Sequence, residues 1–125
     1  MKKFLLILCI CLLLAGCSQS NSSKKVTVHS IPNVQHDEIA TIIESGNYII
    51  VDVRTKEEYD ESHVKGAINI PYDQIDENTN LDKTKTIMVY CKSGVRSNKA
   101  FNTLTSLGYN AYDMGAFSNL KLEKE

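Results

Sequence analysis

The sequence predicts an α/β domain with a mainly parallel central sheet and helices on both faces. Two observations carry this. Residues 48–51 and 86–90 are short, continuous apolar runs, the pattern of strands buried on both faces. Stretches with helical spacing alternate with them, which is how the chain crosses over between parallel strands.

In chain order, residues 26–31 alternate weakly and read as a first strand, stopped by Pro32 and Asn33. Residues 35–45 place Ile39, Ile42 and Ile43 on one helical face, and Gly46 closes the helix. The strand at 48–51 follows. Thr55 and Glu58 form a capping-box pattern that opens a short helix to about residue 61. His63 lies in a turn, more plausibly as a hydrogen-bonding side chain than as an acid or base. Residues 67–70 make a short strand ended by Pro71, and a short helix or turn is expected at 72–77. After the strand at 86–90 comes a loop, then a helix over 96–107 with Ala100, Phe101, Leu104 and Leu107 on one face and Gly108 as its stop. A last strand covers 110–114, with Gly115 breaking it.

The first 16 residues read as a targeting segment. Lys2 and Lys3 precede an apolar run of residues 4–14, too short for a comfortable membrane span. Leu14, Ala15, Gly16 and Cys17 resemble a bacterial lipoprotein lipobox. That resemblance implies cleavage before Cys17, lipid on its sulfur, and a domain held at the extracytoplasmic face of a cell membrane. Residues 17–25 would form a lipidated, Ser-rich tether, and residues 26–125 the domain. Without residues 1–16 the chain has 12 basic against 15 acidic side chains, a net charge of −3. No basic stripe argues for nucleic acid, and nothing predicts oligomerisation, so a monomer is expected.

Of four cysteines, Cys9 and Cys11 lie in the targeting segment and Cys17 at the lipobox, leaving Cys91 as the domain's one free thiol. Its bland reading is a small buried hydrophobe. Its surroundings say more. Cys91 ends a buried strand, and Lys92, Ser93, Gly94, Val95 and Arg96 lead into a helix N-terminus. Ligands bind at that end of an open parallel sheet. Backbone N–H groups of residues 92–96 can turn inward as an anion nest, the helix dipole adds to it, and Lys92 and Arg96 add charge. Gly94 supplies the backbone reversal. These influences favour the thiolate, so the thiol should ionise below its usual range.

The run Cys91, Lys92, Ser93, Gly94, Val95, Arg96 and Ser97 resembles the active-site loop of the rhodanese-like family. Asp52 and Arg54, followed by Glu57, Glu58 and Tyr59, resemble the family's first signature, and the stretch from His63 through Gly66 to Pro71 resembles its second. The resemblance covers roughly residues 48–120. It implies a sulfurtransferase in which Cys91 accepts a sulfane sulfur as a persulfide. The donor would be a small sulfur-containing anion such as thiosulfate, or a persulfide, and the acceptor a thiol or cyanide. It implies that residues 92–96 hold the anion, that Asp52 buttresses the loop, and that Arg54 ties the domain internally. It implies no cofactor, and His29 and His36 show no metal-ligand spacing. Related phosphatases and arsenate reductases have five residues between Cys and Arg; here there are four, which suits sulfur better than a tetrahedral oxyanion. The alternative function is a non-catalytic or redox-sensing module of the same fold. Where the family often has a Gly-Gly pair and a later Trp, this chain has Gly115, Ala116 and Leu120, which puts substrate preference in doubt. Glu57, Glu58, Asp60 and Glu61 read as a solvated helix face.

Overall fold

The computed structural model describes residues 32–125. The strand expected at 26–31, the targeting segment, the tether and Cys17 lie outside the described residues. Four strands form one sheet in the order β2-β1-β3-β4, with every neighbouring pair parallel. They are β1 (Tyr48–Asp52), β2 (Ile68–Asn69), β3 (Thr86–Cys91) and β4 (Asn110–Ala116). The helices are α1 (Pro32–Ser45), α2 (Lys56–Glu61) and α3 (Val95–Ser106), with 3-10 turns at Tyr72–Gln74 and Phe117–Asn119. Among the described residues, no helix is long and apolar enough to cross a membrane.

The period-two alternation of β3 sorts the two cores. Ile87, Val89 and Cys91 face the side where Ala100 and Leu104 of α3 pack. Met88 and Tyr90 face the side where Ile39 of α1, Val64 and Met114 pack, with Tyr59 of α2 against them. Burial on both faces is what the unbroken apolar run at 86–90 required. It also places Cys91 against the start of α3, and Tyr90 on the opposite face.

Several boundaries differ from the sequence expectation, most by one residue, and the following bear on the fold. Helix α1 begins at Pro32, a residue expected to end a strand. Proline costs nothing in the first helical turn, where its missing N–H has no intrahelical partner. Helix α3 begins at Val95, one residue early. Strand β4 continues through Gly115 to Ala116. The register pairs Val89 with Asp113 but Tyr90 with Gly115, so Met114 is an extra residue on β4. Gly115 takes φ +78°, a left-handed conformation that glycine adopts without a Cβ clash, and its amide donates to Asp113 Oδ1 at 2.9 Å. The glycine therefore bends the strand without ending it.

Candidate active site

Cys91 is the last residue of β3 and is fully buried. Gly94 has φ +95° and turns the chain sharply into α3. Its amide donates to Cys91 Sγ at 3.0 Å. Burial, the largest single influence on the thiol, opposes ionisation. The polar groups of Ser97, Gly94 and Ser93 around the sulfur together outweigh it, so the thiol ionises below its ordinary range. Of the expected cradle residues, Gly94 places its amide within hydrogen-bonding distance of the sulfur. Ser97, one residue past the expected cradle, turns its hydroxyl to the Gly94 carbonyl at 3.1 Å.

The remaining loop residues are placed differently. Lys92 is exposed at the loop surface, and the Val95 side chain is 61% exposed. Arg96 was expected to help hold the incoming anion. Instead its guanidinium is committed to Glu58, with Nη1 donating to Oε2 at 2.7 Å and Nη2 to Oε1 at 3.0 Å. Glu58 is thereby corrected from a solvated helix residue to a tie between α2 and the loop. The same carboxylate completes the α2 cap, accepting from the Thr55 amide at 3.0 Å while the Glu58 amide donates to Thr55 Oγ1 at 3.2 Å. A planar two-point pair of this kind fixes orientation as well as distance.

Arg96 is the main reason the Glu58 carboxyl is held at about 2. Because the folded value lies below the unfolded one, the pair's stabilisation is fully present above about pH 4.5 and is lost as pH falls through about 2. Replacing Glu58 by Gln should therefore lower stability by roughly 2 kcal/mol at neutral pH, in line with hydrogen bonds to charged groups. Urea titrations of both proteins check this. The gap between them should narrow as pH falls from 4.5 towards 2, and an unchanging gap would show that the carboxylate charge contributes nothing.

Asp52 and Arg54, expected to support the loop, form a buried pair beneath it. Arg54 Nη2 meets Asp52 Oδ2 at 2.6 Å and also donates to the Ser62 carbonyl at 2.7 Å. The Tyr90 hydroxyl donates to Asp52 Oδ2 at 2.8 Å and accepts from the Val64 amide at 3.0 Å. Among the described residues, no hydrogen bond of Asp52 reaches residues 92–96; it holds Tyr90, the residue before the nucleophile, and so acts on the strand under the loop. The Arg54 guanidinium stacks 4.3 Å from the Phe117 ring centroid, and Phe117 stacks on Tyr90 at 5.5 Å. His63 takes a turn-stabilising place, its Nδ1 2.8 Å from the Tyr59 carbonyl and its ring stacked on Tyr59.

Sequence reasoning did not select Glu58, Tyr90, Ser97 or Phe117 as site residues. For Ser97 a signal existed, since it closes the loop motif on the first turn of α3. For Glu58 the capping box already accounted for the residue, which hid its second partner.

A buried cysteine at the carboxyl end of a parallel strand, cradled by the next helix's first amides, defines a class of loop-based sulfur or anion site. The family model for the rhodanese-like domain matches residues 35–121, and the chain belongs to that family. Its relatives include the thiosulfate sulfurtransferase PspE of Escherichia coli (strain K12), 36% identical over 78 residues, which cover 59% of this chain and 75% of that protein. Another is the putative sulfur carrier protein YrkF of Bacillus subtilis (strain 168), 32% identical over 82 residues, covering 64% of this chain and 44% of that protein. The chain thus spans less than half of the second relative's length. Among solved structures, a rhodanese with anions from E. coli aligns with a TM-score of 0.58 and 32% identity, over 62% of this chain and 96% of that one. A human single-domain sulfurtransferase aligns with a TM-score of 0.57 and 25% identity, over 66% and 88% of the two chains. At the level of the family, relatives such as PspE and the human single-domain protein are sulfurtransferases.

Proposed function

We propose that this protein moves a sulfane sulfur from a donor such as thiosulfate or a persulfide to a thiol or cyanide acceptor, through a persulfide on Cys91. The observation that carries the reading is the Gly94 amide 3.0 Å from Cys91 Sγ, in a cradle that favours the thiolate despite complete burial. In the first step, the thiolate attacks the outer sulfur of thiosulfate. The donor's S–S bond breaks, sulfite leaves with the electron pair, and the negative charge comes to rest on the outer sulfur of Cys91. In the second, an acceptor thiol attacks that outer sulfur. The Cys91 S–S bond breaks, Cys91 leaves as thiolate, and the acceptor's proton ends on the product persulfide. Dividing the transfer in this way is the usual gain of a covalent intermediate.

Two features shape access. Sγ is covered in this conformation, so the loop or its neighbours must part to admit a donor. With Arg96 held by Glu58, Lys92 is the loop's exposed cation for drawing anions in. Incubation with thiosulfate followed by intact-mass measurement tests the reading. One sulfur atom, about 32 Da, should be gained and then lost on adding a thiol, as a covalent intermediate requires. A mass that stays unchanged at neutral pH would refute it.

We also propose that Cys17 carries lipid and tethers the domain to the extracytoplasmic face of a membrane, as the lipobox resemblance implies. Growth with an alkyne fatty acid should label the protein, and Cys17→Ser should remove the label. A label that persists in that variant would exclude Cys17 as the acylated residue.

A further inference from the structure

We infer that Glu58 sets the donor specificity of the Cys91 site: by neutralising Arg96 it turns the site towards organic persulfides and away from dianionic donors such as thiosulfate. The inference rests on the persulfide reading above and names the donor class within it.

The geometry ties the charge down. Arg96 is the second residue of α3, two residues past the Gly94 amide that meets Sγ at 3.0 Å. The charges on Arg96 and on the Cys91 thiolate attract each other. Yet the guanidinium donates from Nη1 and Nη2 to one carboxylate, 2.7 Å and 3.0 Å from the two Glu58 oxygens. The Thr55 amide and hydroxyl, at 3.0 Å and 3.2 Å, hold Oε2 of that carboxylate in place. Both charged side chains are only 26% exposed, so solvent screens the pair less than a surface pair. An incoming anion that drew Arg96 away would leave Glu58 half-covered with Thr55 as its partner, and would itself approach a carboxylate.

The rest of the loop offers an anion little fixed charge and an organic group some apolar surface. Lys92 is exposed, where water and salt weaken its pull. Val95, between Gly94 and Arg96, is apolar and exposed. The two donor classes meet this site differently. Thiosulfate brings two negative charges towards a thiolate, and with Arg96 masked only the partial charges of the cradle answer that repulsion. A persulfide R–S–SH is attacked in its uncharged form. The thiolate attacks its outer sulfur, the donor's S–S bond breaks, and the organic thiolate leaves with the electron pair. The outer sulfur keeps its proton as Cys91–S–SH. The R group can cover Val95, which favours an organic donor further.

Two variants separate charge from shape. Glu58→Gln keeps the shape and removes the charge, whereas Glu58→Asp keeps the charge and shortens the reach. Single-turnover loading rates are measured for the wild type and both variants, with thiosulfate and with the persulfide of mercaptoethanol, whose organic part is uncharged. At equal concentration the wild type should load faster from the persulfide. Glu58→Gln should raise the thiosulfate rate relative to the persulfide rate about tenfold, as an unmasked cation near a dianion requires. Glu58→Asp should leave that ratio within about twofold of the wild type. A wild type faster with thiosulfate, an unmoved ratio in Glu58→Gln, or an equal rise in both variants would overturn the inference. The stability cost given above leaves most of a small domain's stability, so Glu58→Gln should fold. A thermal scan checks this, and the wild-type comparison holds without it. If the wild type takes up no sulfur from either donor, the sulfurtransferase reading fails by itself. Alkylation then judges Glu58, with two reagents of similar size. The rate with iodoacetate relative to iodoacetamide should rise severalfold in Glu58→Gln and not in Glu58→Asp, and an unmoved ratio in Glu58→Gln overturns the masking.

Discussion

Cys91→Ser should take up no sulfur from thiosulfate and should lose turnover by at least about a thousandfold, since it removes the covalent route. The substitution is nearly isosteric and sits at a fully buried position among amides that can equally bond an oxygen. The fold should therefore survive, with a thermal midpoint within a few degrees of the parent. The chemistry should not. A serine hydroxyl stays protonated in a cradle that lacks an adjacent base: no His, Asp or Glu hydrogen-bonds to Cys91 among the described residues. In the proposed mechanism the nucleophile arises by lowering the pH at which the group itself ionises, and oxygen starts too high for that to help. Retained sulfur uptake in Cys91→Ser would move the reacting atom elsewhere in the chain.

Arg54→Met should cost about 3–5 kcal/mol of stability, the usual effect of stranding one partner of a buried ion pair. For a domain of this size, that is a fall in thermal midpoint of more than about 10 °C. The Asp52 carboxylate would remain fully buried. It would keep the Tyr90 hydroxyl and the Arg54 amide, which donates to Oδ1 at 2.9 Å, but would lose the three bonds from the guanidinium. The Ser62 carbonyl would lose its donor, and Phe117 the cation stacked on it. Asp52→Asn keeps the hydrogen-bonding shape and should cost less. Chemical denaturation of the two variants gives the comparison, and a smaller loss for Arg54→Met than for Asp52→Asn would contradict the description of this network.

How far the sequence could be read depended on whether a residue's partners were local. Residues 48–51 and 86–90 were legible as strands because burial on both faces needs an unbroken apolar run, which no other element of this length requires. Thr55 and Glu58 were legible as a cap because both partners lie within one turn. The tie from Glu58 to Arg96 was not, because 38 residues separate them and only the packing of α2 beside the loop brings them together. Reading Arg96 as a free anion ligand followed from its charge, and the structure shows that charge already answered by a carboxylate. Gly115 was read as a strand end because glycine weakens strands; whether it ends one or bends it depends on the neighbour strand's register. Cys91 itself was legible from its place between a buried strand and a helix start. Its complete burial was not, since exposure depends on what covers the loop from elsewhere in the fold.

The proposed chemistry requires a cysteine sulfur that ionises easily while shut inside the protein. Because Sγ is covered, the absolute rate of alkylation reports access as well as charge, so the informative quantity is the pH at which that rate is half its plateau. Iodoacetamide modification of Cys91, followed from pH 4 to pH 10, should show this midpoint clearly below the value of about 8.5 for an unperturbed thiol. A midpoint at or above that value would mean that burial prevails over the cradle, and the proposed nucleophile would not exist at neutral pH.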